Sequence, residues 1–153
     1  MKDGQANPVE ILMIDDNPAD IDLVRETFRE QMKESVIQAV RDGSEAIEYL
    51  HRSGPYAQAA RPDLILLDLN MPGKNGYEVL REIRQDLDLC CIPVVILTSS
   101  TAQQDIDRGY RSSANAYLSK PVGLDQFSNL VRTIEAFWLE AARLPSRRCG
   151  QND

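Results

Sequence analysis

Apolar residues along this chain follow two alternating rhythms. Five short runs, VEILMI (9–14), SVIQAV (35–40), DLILLD (63–68), PVVILTS (93–99) and ANAYLSK (114–120), have the length and the flanking turn residues of buried strands. Between them the apolar positions recur at helical spacing. Ile21, Val24, Phe28 and Met32 follow Asn17-Pro18, an N-cap with proline at the first helical position. Ala46, Ile47 and Leu50 follow the turn at Asp42-Gly43, and Val79, Leu80, Ile83 and Leu87 form a third stripe. Ile106 and Tyr110 form a shorter fourth after Ser100, whose spacing to Gln103 predicts a capping box. The fifth stripe is the longest: Leu124, Phe127, Leu130, Val131, Ile134, Phe137 and Trp138.

Parallel neighbours need crossover connections, and each right-handed crossover supplies a helix, so this alternation predicts an α/β fold. The expected form is a three-layer (βα)5 unit with a five-stranded parallel sheet and helices on both faces. Strands one, three and four are almost wholly apolar, as central strands should be, while the mixed strands two and five belong at the edges. One domain is expected over 9–142, between a flexible start (1–8) and a disordered tail (143–153). The longest connection is HRSGPYAQAARP (51–62).

Composition narrows the function classes. With 153 residues and 42% hydrophobic content the chain is large enough for one complete core. No apolar run approaches the roughly 18 residues of a membrane span and the start lacks a signal sequence, so a cytoplasmic protein is expected. Cys90 and Cys91 are adjacent and Cys149 lies in the tail, which is neither a disulfide framework nor metal-binding spacing. The net charge is −7 and the basic residues are scattered, apart from Arg143, Arg147 and Arg148 near the end, which argues against nucleic-acid binding. His51 is the sole histidine, so a His-based triad or a multi-histidine zinc site is excluded.

Ligands of open α/β sheets bind beyond the carboxyl ends of the strands. At those ends stand Asp15 and Asp16, Asp68, Thr98 with Ser99, and Lys120. One such acid alone is ordinarily a helix cap or a turn residue. Three together repel by roughly 4 kcal/mol per pair at about 4 Å and an effective dielectric of about 20, more than a single lysine can offset. An all-oxygen set of this kind calls for a hard divalent cation, Mg2+ in preference to Ca2+, with Mn2+ as a substitute.

IDD after the first strand, LLDLNMP with Gly76 after the third, LTSS after the fourth and YLSKP after the fifth resemble, in order, the receiver domain of two-component response regulators. The resemblance spans residues 9 to 140 and implies a flavodoxin-like sheet in the order 2-1-3-4-5. It implies that Asp68 accepts a phosphoryl group from the phosphohistidine of a sensor histidine kinase. Asp15, Asp16, Asp68 and the backbone carbonyl of Asn70 would hold Mg2+, while Thr98 and Lys120 would stabilise the phosphoryl oxygens. Asp16 would bind the metal directly and Asp15 mainly through water. Pro121 matches the family's cis-proline, and Tyr117 its switch aromatic, which turns from exposed to buried as Thr98 moves.

Because the chain ends about a dozen residues after the fifth stripe, no DNA-binding output is expected. The output would be a downstream protein or a phosphotransfer partner. The approach to the third strand and the ending IEAFWLEAARLP (134–145) resemble single-domain regulators of bacterial phytochromes. The surplus of apolar residues at Phe137, Trp138, Leu139 and Leu144 predicts a homodimer through the face that also carries Tyr117. Two alternatives compete: a Mg2+-dependent aspartyl phosphohydrolase, disfavoured by Asn70 where a second aspartate is needed, and a phosphorylation-independent adaptor. A nucleotide or flavin binder is disfavoured by the glycine-free DDNPAD turn. The expectation is a phosphoacceptor, not an enzyme.

Overall fold

A computed structural model of the chain describes residues 8–30 and 34–145. Met32, Arg147, Arg148, Cys149 and most of both flanking segments lie outside the described residues. The strands are β1 (Val9–Ile14), β2 (Ser35–Val40), β3 (Leu64–Leu67), β4 (Val94–Thr98) and β5 (Ala116–Ser119). Between and after them come α1 (Pro18–Arg29), α2 (Gly43–Leu50), α3 (Gly76–Gln85), α4 (Gln103–Arg111) and α5 (Leu124–Glu135). All strand pairs are parallel and the order is β2-β1-β3-β4-β5, as the apolar pattern and the family resemblance together implied.

Alternation along the strands divides the core in two. Leu12, Ile14, Ile65 and Leu67 face α2 and α3, while Ile11, Met13, Leu64 and Leu66 face α1 and α5. β3 and β4 are buried throughout, consistent with strands covered on both sides. The register sets Ile14 level with both Val40 and Leu67, so β1 and β3 end together and the residues that follow them are neighbours.

Local chemistry explains most helix starts. Asn17 Oδ1 accepts the backbone N–H groups of Ala19 and Asp20, with Pro18 following, and Asp42 accepts from Glu45. A reciprocal capping box does occur, but between Asn75 and Glu78 at α3. The box expected at Ser100 and Gln103 does not form. The Ser100 hydroxyl donates instead to the Asp105 carboxylate at 2.6 Å, and α4 starts after Ala102 with no side-chain cap. α4 sits close on the sheet because of Gly109, where a Cβ would lie 2.9 Å from Ile96 Cδ1 and 3.1 Å from Tyr117 Cδ2.

Several positions expected in the core are elsewhere. Leu87 is exposed because Asp86, in extended conformation, ends α3 before it. Leu124, in the first turn of α5, and Tyr110 are also exposed. Beyond Glu135 the helix continues as a π-helical turn, Ala136–Ala141. Its extra residue per turn changes which side chains face inward. Leu139 is 3% exposed and packs in the core, whereas Phe137 is 53% exposed, its ring edge-on to that of half-buried Trp138 at 5.0 Å. Leu139 is therefore not part of the apolar face expected there. The thiols also differ from expectation, since Cys91 is disulfide-bonded, whereas the Cys90 thiol donates to the Leu87 carbonyl at 3.7 Å.

Candidate functional site

The polar residues singled out above meet at one sheet edge. Asp15 follows β1, Asp68 follows β3, Thr98 ends β4 and Lys120 follows β5. Asp15 and Asp68 are 1% and 7% exposed, Asp16 is open to solvent, and one carboxylate oxygen from each of the three lies within 4.8 Å of the others. A backbone N–H two residues on anchors each buried acid: Asn17 donates to Asp15 Oδ1 at 2.9 Å and Asn70 to Asp68 Oδ1 at 3.3 Å. Gly76 lets α3 close against the strand end, since a Cβ there would stand 2.5 Å from the Asp68 carbonyl oxygen.

Lys120 Nζ donates to Asp15 Oδ2 at 2.7 Å and to Asp20 Oδ2 at 2.8 Å, and lies 3.5 Å from Asp68 Oδ2. Asp20 is the member that sequence reasoning missed. Its signal was its place in the first turn of the helix that begins immediately after Asp15 and Asp16, which holds it near their strand end. Burial pushes the Asp15 carboxyl up to about 6, against the pull of Lys120 and the Asn17 N–H, and the charge of Asp68 adds to the rise. For Lys120 burial disfavours the charge, but the hydrogen bonds to Asp15 and Asp20 outweigh it, and the ammonium is held well above its ordinary value.

Thr98 is completely buried, and its Oγ1 has no hydrogen-bond partner. Buried hydroxyls are almost always paired, which makes this one an exception among the described residues of the site. Next to it, the Ser100 carbonyl accepts from both Tyr117 Oη at 3.0 Å and Ser119 Oγ at 3.1 Å. Tyr117 is thus already buried against α4, and it belongs to no exposed partner face. The Lys120-Pro121 bond is trans, since the described residues contain no cis peptide, which corrects the expected cis-proline. A trans bond is the intrinsically favoured form. The backbone N–H of Lys120 on the Thr98 carbonyl, at 2.7 Å, and its two carboxylate partners aim the side chain without the cis isomer.

The donor set is all oxygen, clustered and half open, which suits a hard divalent cation that keeps some of its water. A buried carboxylate beside such a cation, a lysine and an unpaired hydroxyl can act as a nucleophile toward phosphorus.

Comparison with known proteins leads to the same chemistry. The response regulator receiver domain family matches residues 11–132, and the chain belongs to that family. A receiver domain is a signalling phosphoacceptor and not a turnover enzyme, which sets the phosphohydrolase alternative aside. More particularly, the chain is 42% identical over 146 residues to response regulator Rcp1 of Synechocystis sp., across 95% of this chain and 99% of that one. The crystal structure of the phosphorylated cyanobacterial phytochrome response regulator RcpA matches with a TM-score of 0.89 at 46% identity, covering 92% of this chain and 100% of that one. The Mn2+-bound form of Rcp1 matches with a TM-score of 0.88 at 42% identity, covering 91% and 100%.

Proposed function

We propose that this chain is a response regulator whose Asp68 takes a phosphoryl group from the phosphohistidine of a phytochrome-type sensor histidine kinase. The observation that carries this reading is the position of Asp68. Its buried carboxylate lies 3.5 Å from Lys120 Nζ and within 4.8 Å of Asp15 and Asp16. Asp15, Asp16, Asp68 and the Asn70 carbonyl would hold Mg2+, or Mn2+ in its place. The phosphorylated RcpA and the Mn2+-bound Rcp1 support the assignment by likeness.

In the transfer, a carboxylate oxygen of Asp68 forms a bond to phosphorus as the bond from phosphorus to the partner's imidazole nitrogen breaks, leaving an acyl phosphate. A bound divalent cation supplies positive charge against the phosphoryl oxygens. Lys120 gives up a carboxylate partner to reach the same oxygens, and Thr98 Oγ1 donates to one of them. Drawing Thr98 inward pulls on the Ser100 turn that Tyr117 and Ser119 hold, and so carries the change to α4 and β5.

The kinase docks beside the site, at a cleft of about 280 Å3 lined by Lys120, Leu23, Phe127 and the exposed Val122 and Leu124. A downstream protein or phosphotransfer partner receives the signal. Phe137 and Trp138 form the homodimer contact, without Leu139 and Tyr117. No described helix is long and apolar enough to cross a membrane, and the cytoplasm, where ATP is available to kinases, is the compartment this chemistry requires.

Intact-mass measurement after incubation with acetyl phosphate and Mg2+ tests the proposal. Wild type is expected to gain one phosphoryl group and Asp68→Asn none. Labelling that survives the substitution would overturn the assignment of Asp68, and an unlabelled wild type would favour a phosphorylation-independent adaptor.

A further inference from the structure

The chain carries a net charge of −7, yet four guanidinium groups gather round one cleft of about 260 Å3 between α3 and α4. Tyr77, Arg81 and Arg84 share a face of α3 at helical spacing, and Arg108 and Arg111, three residues apart, approach from α4. No lining residue of this cleft belongs to the acid cluster.

The walls are rigidly built. Arg84 donates to the carbonyls of Ser113, Cys90 and Ile92 and to Asn115 Oδ1, all at 2.8 to 2.9 Å, so its charge is held in place without a carboxylate. Arg108 sits over the Tyr77 ring, 3.9 Å from its centroid, and the Tyr77 hydroxyl is fixed by the Asp105 carbonyl at 2.8 Å. Arg81, Arg108 and Arg111 are exposed. Among the described residues none of the four arginines forms an ion pair, whereas Arg29, Lys74 and Arg132 each have a glutamate partner. Like charges lining one cleft repel one another, and an anion seated among them relieves that repulsion.

We propose that the α3–α4 cleft docks an acidic peptide segment of a partner protein, whose carboxylates are received by Arg81, Arg108 and Arg111. Guanidinium forks match carboxylates two bonds at a time, and Arg108, stacked over the Tyr77 ring, has less freedom to lose on binding. A protein is favoured over a nucleic acid because the positive region is a single small cleft on an acidic chain, and a long polyanion leaving it would meet like charge. The proposal does not depend on Asp68 chemistry.

Fluorescence anisotropy of a labelled hexaglutamate peptide titrated with the full chain, at low and at physiological ionic strength, provides the test. Saturable one-to-one binding is expected, weakened by about tenfold or more in Arg108→Gln/Arg111→Gln. Arg29→Gln/Arg132→Gln, which removes the same charge elsewhere, is expected to bind as wild type does. Equal losses in the two variants, no binding to wild type, or equal binding of hexaglutamine would overturn the proposal. So would inorganic phosphate competing as strongly as the peptide, which marks a small-anion site, or tighter binding of single-stranded DNA. Arg108→Glu/Arg111→Glu guards against a folding artefact. It should lose hexaglutamate and gain hexalysine, a reversal that misfolding does not produce.

Discussion

Lys120→Met removes the ammonium that Asp15, Asp20 and Asp68 share, and its cost in metal-free protein depends on pH through Asp15. In wild type the Asp15 carboxyl titrates at about 6, against about 3.9 in an unfolded chain. A raised native value means that the folded state keeps a proton the unfolded state has lost. This group therefore lowers wild-type stability as pH rises from about 4 to about 6, and adds no further loss above that. Without the 2.7 Å hydrogen bond from Lys120, burial acts with less opposition and the carboxyl titrates higher still. The variant then continues to lose stability above about pH 6, at up to roughly 1.4 kcal/mol per pH unit. Its deficit relative to wild type widens by as much as about 2.7 kcal/mol between about pH 6 and about pH 8. Urea unfolding with a chelator present, followed by far-ultraviolet circular dichroism at both pH values, measures this directly. A deficit that is the same at both would refute the argument that Lys120 keeps Asp15 ionised.

Thr98→Val keeps the buried shape and removes a hydroxyl that has no partner, so stability is expected to stay level or rise by up to about 1 kcal/mol, while any beryllofluoride-induced change at Tyr117 in NMR spectra disappears. A clearly lowered urea midpoint would contradict this. Gly109→Ala gains about 1 kcal/mol in helix propensity but must push against Ile96 and Tyr117, which costs about 1–3 kcal/mol, so the midpoint is expected to fall. A midpoint above wild type would show that α4 can lift off the sheet freely. Trp138→Ala should convert a dimer to a monomer in sedimentation, and an unchanged dimer would remove Phe137 and Trp138 from the interface.

Most of the architecture was legible because period and length separate strands from helices, and strand composition separates centre from edge. Asp15, Asp16, Asp68, Thr98 and Lys120 were legible for a related reason: a parallel sheet delivers whatever follows its strands to one edge. Asp20 was hidden because an acid in a first helical turn is also what the helix dipole favours, so the residue type alone does not reveal a lysine partner. Leu139 was misplaced because an α-helical period was carried into a π turn, where the inward face shifts. Ser100 met the capping pattern but had a better acceptor in Asp105, a competition that spacing does not record. The arginine cleft was invisible because its members come from two helices separated by a strand and look scattered along the chain.

The pairing of β1 with β3 has a kinetic consequence. It brings together segments 53 residues apart, as the hydrogen bond between Glu10 and Asp63 records, with the whole α1-β2-α2 excursion between them. Closing that connection costs about 0.6 kcal/mol more than closing one half as long. Asp15 stands on one side of this seam and Asp68 on the other, so a cation gripped by both joins parts of the chain that meet only after the closure. Such a ligand acts on interactions that form late, and it therefore slows unfolding more than it speeds refolding.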